Sequence, residues 1–69
     1  MGGIVTLSVN GEARETAAAA TVGELVAELG LPPLAVLVEQ NGVALRREEW
    51  GLLLHAEDRI EIVRIVAGG

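Results

Sequence analysis

One short helix whose two ends are both set by neighbouring residues constrains this chain most. Thr21 and Glu24 form a T-x-x-E capping box, in which each side chain satisfies the other residue's free backbone N–H. The helix therefore begins at Thr21 and not in the four alanines before it. Val22, Leu25, Val26 and Leu29 fall at i, i+3, i+4 and i+7, one apolar stripe with Glu24 and Glu28 to the side. Gly30 suits the left-handed position after the last turn and Leu31 the apolar contact that accompanies it; Pro32-Pro33 stops the helix resuming. A single amphipathic helix of this kind must cover one face of one sheet.

The strands for that sheet are readable on either side. Val5, Leu7 and Val9 alternate with Thr6 and Ser8, the period-2 pattern of a strand with one buried face, which should line the helix. Asn10-Gly11 is a turn, and Glu12, Arg14 and Glu15 make residues 12–16 a charged return strand at the sheet edge, with 17–20 a connection. Residues 34–40 read as a strand, apolar enough at Val36, Leu37 and Val38 to be covered on both faces near its start. Asn41-Gly42 is the dipeptide of a type I′ hairpin, so Val43-Ala44-Leu45 pairs back as a short strand. One helical turn over 46–50, a polar turn over 55–58 and a long strand over 59–66 complete the chain. The long apolar strand belongs in the middle of the sheet, parallel to the first. The order predicts an α+β domain over residues 1–66, a mixed sheet of about five strands with one helix on one face. That is the β-grasp arrangement, followed by a tail at 67–69.

Composition narrows what such a domain can do. Its 69 residues bury only roughly 60% of the surface of the unfolded chain, too little to wall a deep pocket. There is no cysteine and one histidine, which leaves neither a disulfide framework nor a zinc cluster, and no metal is expected. A net charge of -5 repels phosphate backbones and anionic lipid, so neither nucleic acid nor membrane is an expected partner. The longest aliphatic run, 34–38, is far short of the ~20 residues that span a bilayer. No signal peptide opens the chain, and a cytoplasmic location is expected. Met1, Gly2 and Thr6 fit the loose myristoylation pattern by chance, since a strand at 4–9 ties Gly2 to the sheet.

No catalytic template finds its residues, and the chain is expected not to be an enzyme. Ser8 sits in a strand and His55 in a turn, with nothing obliging them to meet. Glu57-Asp58 reads as a solvated turn, Arg46 and Arg47 as solvated charges, and Trp50 as a packing anchor with its indole N–H satisfied at the surface. What remains is Ala67-Gly68-Gly69, where the last strand runs straight into two glycines. Three extended residues reach at most ~10 Å, and glycines offer no side chain to a narrow channel. A terminal carboxylate, with a reference pKa of roughly 3.5, is ionised at neutral pH and is a usable nucleophile toward an activated phosphate. Adenylation would make it an acyl donor. Gly69 is the expected site of that chemistry, with Gly68 and Ala67 as its tail and Val63 and Ile65 as partner contacts.

The strand order and tail resemble the ubiquitin-like sulfur carriers of the ThiS/MoaD family, ThiS most closely, over residues 5–69. The likeness is most specific at Val9-Asn10-Gly11-Glu12, Thr21-Val22-Gly23-Glu24-Leu25, Arg46 or Arg47 with Trp50, and Asp58-Arg59-Ile60-Glu61-Ile62-Val63. Val63-Arg64-Ile65-Val66 lacks the aromatic, proline-rich segment typical of the molybdopterin branch. The resemblance implies a non-catalytic carrier that binds no cofactor. A ThiF-like adenylyltransferase would adenylate Gly69 with ATP, and a persulfide from a donor such as a cysteine desulfurase would supply sulfur. A ThiG-like thiazole synthase would take that sulfur from the Gly69 thiocarboxylate to build the thiazole of thiamine. Two departures lie in loops: Ala56-Glu57-Asp58 has no glycine before the Asp, and Glu39-Gln40-Asn41-Gly42 reads as a longer link than usual. They leave open another sulfur pathway (molybdopterin, cysteine or tRNA thiolation), or a β-grasp interaction module with an idle tail.

Overall fold

The computed structural model describes residues 2–66, so Met1 and the tail residues Ala67, Gly68 and Gly69 lie outside the described residues. Five strands, β1 (Ile4–Val9), β2 (Glu12–Ala17), β3 (Val36–Gln40), β4 (Val43–Leu45) and β5 (Arg59–Arg64), form one sheet in the order β2-β1-β5-β3-β4. A single helix, α1 (Val22–Glu28), packs on one face. β5 lies in the middle and parallel to β1, as expected of the long apolar strand, and pairs antiparallel with β3.

The helix ends are built as their residues dictate. Thr21 Oγ1 accepts from Glu24 N at 3.1 Å, and Thr21 N donates to Glu24 Oε1 at 2.8 Å. The remaining first-turn donors are taken by the loop before β5: Val22 N reaches Leu52 O and Gly23 N reaches Trp50 O, at 3.0 and 2.9 Å. At the other end Gly30 adopts φ +73°, its N–H donates to Ala27 O, and Leu31 N donates to Val26 O. These are the paired bonds of a Schellman motif.

Val22, Leu25 and Val26 are fully buried against Leu7, Val36, Val38, Ile60 and Ile62, with Trp50 and Leu54 closing one end. Leu29, Leu31 and Val9 pack at the margin. Val5, expected to line the helix with Leu7 and Val9, is only partly buried and is not among the residues packed against the core, although Thr16, its partner on β2, is buried. Both Asn-Gly pairs form tight turns with positive φ at each residue (Asn10 +51°, Gly11 +85°; Asn41 +53°, Gly42 +84°). Gln40 pairs directly with Val43, so the β3–β4 link has no extra length.

Three expectations need correction. Residues 33–35 form a 3-10 turn in place of the start of a strand, since Pro32 and Pro33 cannot donate to a ladder. Leu37 is 56% exposed, not covered on both faces, because α1 covers only the face holding Val36 and Val38. β5 ends at Arg64, though Ile65 N still donates to Ala35 O at 2.7 Å.

Candidate functional site at the root of the tail

β5 delivers the chain to its tail, and the residues around that exit are apolar and uncovered. Leu37 and Val63 are directly opposite in the β3–β5 register, on the sheet face away from the helix. Val63 is 54% exposed, and Ile65, two residues on, is exposed beside it, as is Val66. The 3-10 turn Pro33–Ala35 adds Leu34, 86% exposed and fixed near the exit by the Ala35–Ile65 hydrogen bond. Val63 and Ile65, the contacts singled out from sequence, therefore belong to a larger collar that includes Leu37 and Leu34. Leu37 was missed because three consecutive aliphatic residues do not reveal that only one face is covered. The tail residues themselves lie outside the described residues.

One step from the Leu37–Val63 pair, Glu39 faces Glu61 across the same two strands. Like charges directly opposite cost stability in an isolated sheet. They give this face an apolar patch bordered by negative charge.

At the other end of β5 the polar turn is not uniformly solvated. Glu57 is exposed, but Asp58 is 7% exposed and accepts from Gln40 Nε2, Asn41 Nδ2 and His55 N, all at 2.8–2.9 Å. Burial alone would raise its pKa. The donors from Asn41, the His55 backbone and Gln40, with the His55 ring nearby, outweigh burial and hold the carboxyl below its ordinary value. Asp58 thus fastens the β3–β4 hairpin to the start of β5 and has a structural task. Glu57 takes φ +69°, the left-handed conformation that a glycine before the Asp would adopt without strain. His55 is exposed, and no hydrogen bond joins it to Ser8 among the described residues.

Trp50 is buried at the α1 N-terminus with the Arg47 guanidinium 4.7 Å from its ring centroid, a cation–π contact in place of simple solvation. Its indole N–H is buried and meets no acceptor among the described residues, contrary to the expected surface partner. The Arg-x-x-Trp element thereby fixes the carbonyl that receives Gly23 N. Among the described residues no cluster of three potential metal ligands exists and no helix is long and apolar enough to cross a membrane.

The five-strand sheet with one helix on one face, and an exposed apolar collar where β5 ends, define a small β-grasp protein. The ThiS family model matches residues 7–69, and the chain belongs to that family. The solved structure of the thiamine biosynthesis protein ThiS from Geobacter metallireducens superposes with a TM-score of 0.80 at 30% identity, covering 94% of this chain and 100% of that one. A thiazole synthase of Magnetococcus marinus is 34% identical over 64 residues, 91% of this chain. The chain spans only 20% of that relative's length.

Proposed function

We propose that this chain is a sulfur carrier for the thiazole of thiamine, with sulfur held as a thiocarboxylate on Gly69. The observation that carries the reading is that the family match runs through Gly68 to Gly69. In this scheme the Gly69 carboxylate attacks the α-phosphorus of ATP on a ThiF-like adenylyltransferase, and pyrophosphate leaves. The terminal sulfur of a persulfide, formed by a donor of the cysteine desulfurase type, then attacks the acyl carbon and displaces AMP. A thiol cleaves the resulting S–S bond and leaves sulfur on Gly69. A thiazole synthase is the proposed acceptor, supported by the relative of that name that contains a segment like this chain. The chain contributes no catalytic group; it supplies a narrow terminus and a surface for docking. Leu37, Val63 and Ile65 are the proposed docking surface, because they are apolar, uncovered and at the root of the tail.

The test is intact-protein mass spectrometry after incubation with the cognate adenylyltransferase, ATP and a sulfur donor. The full chain should gain the mass difference between one sulfur and one oxygen, confined to the C-terminal peptide. Deleting Gly69 should abolish the gain, because the terminus then stops roughly 3.5 Å short and reaction demands closer placement. Modification of the truncated chain, or of another residue, would overturn the proposal.

A further inference from the structure

Both asparagines of this chain, Asn10 and Asn41, are followed by a glycine, so in each pair the next backbone nitrogen has no side chain to shield it. That nitrogen can attack Cγ of the asparagine; the Cγ–Nδ2 bond breaks, ammonia leaves, and a cyclic imide forms. Water then adds to either imide carbonyl and opens the ring to aspartate or isoaspartate. The net change turns an amide and a water into a carboxylate and ammonium, with no enzyme, oxidant or cofactor. In the folded chain each asparagine is held away from this reaction. Asn10 keeps both amide atoms on the Ile62 main chain, and Asn41 keeps Oδ1 on Arg59 N and Nδ2 on Asp58 Oδ1. Their backbone N–H groups donate to Ile60 O and Arg59 O, both at 2.8 Å. The side chain must leave these partners to meet the glycine nitrogen, so the reaction proceeds from a locally opened hairpin.

We propose that Asn41 is a site of spontaneous deamidation in the folded protein, while Asn10 is protected by its hairpin. The attacking nitrogen belongs to the glycine, so its freedom is set by the strand that returns from the turn. Gly11 leads into β2, which pairs with β1 over six residues and carries the buried Thr16. Gly42 leads into β4, an edge strand of three paired residues, of which Val43 and Ala44 are exposed. The shorter hairpin opens at lower cost. Its product cannot resume the original arrangement. Asn41 Nδ2 stands 2.9 Å from Oδ1 of the buried Asp58, and an oxygen in its place sets two carboxylates against each other. The isoaspartate form also adds a methylene to the main chain of a tight turn. Asp58 fastens the β3–β4 hairpin to the start of β5, so the aged chain loses that lock. The reaction is independent of what the tail carries.

The experiment holds the full chain in mildly alkaline buffer, folded or in urea, and follows both sites by mass spectrometry of tryptic peptides. Cleavage after Arg14 and Arg46 places Asn10 and Asn41 in different peptides. Digestion in heavy-oxygen water marks any conversion that occurs during handling. In urea the two sites should convert at similar rates, because glycine follows both. In the folded chain Asn41 should convert roughly tenfold ahead of Asn10, the ratio that ~1.4 kcal/mol of difference in opening free energy produces. Asn41→Asp should melt below the parent, and the drop should be smaller in an Asp58→Asn background, where the facing charge is gone. A folded chain that converts Asn10 as fast as Asn41 overturns the proposal, as does one in which neither asparagine converts while both do in urea. A drop of equal size in the two backgrounds overturns the clash with Asp58.

Discussion

Asn10 and Asn41 occupy the same place in two different hairpins, and each turns its side chain onto β5. Asn10 Oδ1 accepts from Ile62 N at 2.8 Å and its Nδ2 donates to Ile62 O at 3.2 Å, continuing the parallel ladder past the end of β1. Asn41 Oδ1 accepts from Arg59 N at 2.8 Å while its Nδ2 holds Asp58. Glycine at either position keeps the turn but loses these bonds. Asn10→Gly should therefore cost about 1–3 kcal/mol in urea unfolding, without altering the hairpin. Asp58 adds a dependence on pH. Its folded pKa lies below the unfolded value, so its contribution is complete above the unfolded pKa of about 3.9 and is lost as pH falls through the folded one. Asp58→Asn should lower the urea midpoint at pH 7 and flatten the decline of stability in acid; an unchanged acid limb would show that Asp58 is not the group responsible.

At the scale of elements, α1 was legible from the sequence because everything that starts, stops and orients it lies within eleven residues. The strands were legible as strands and the two Asn-Gly turns as turns, for the same local reason. Which face each strand shows was legible only where alternation is strict, as in Leu7 or in Ile60 and Ile62; at Val36-Leu37-Val38 the pattern is flat and the coverage was misjudged. The collar was half visible, through Val63 and Ile65 alone. Leu25, fully buried beneath the sheet, should cost about 2–5 kcal/mol when replaced by alanine, and a variant melting with the parent would refute the helix face. Val63→Asp, on an exposed position, should leave the melt nearly unchanged and reduce binding to the adenylyltransferase.

For the molecule as a whole, the acidic excess should act at long range and the apolar collar at contact. The rate of association with a basic partner should fall as salt rises, and dissociation should respond mainly to changes at Leu37, Val63 and Ile65. Stopped-flow measurements at two ionic strengths check this; an association rate indifferent to salt would remove the charge from the account. The placement of β5 has a further outcome for how the protein comes into being. Its central position is filled by residues 59–64, and its partners Ser8 and Val9 precede it by about fifty residues. During synthesis the hairpin, the helix and the β3–β4 pair all leave the ribosome before the strand that joins them. Until then Leu7 and Val38 have no neighbour between them, and the nascent chain should remain open to proteolysis. The core is thus completed by a single closing event, the docking of β5 between β1 and β3.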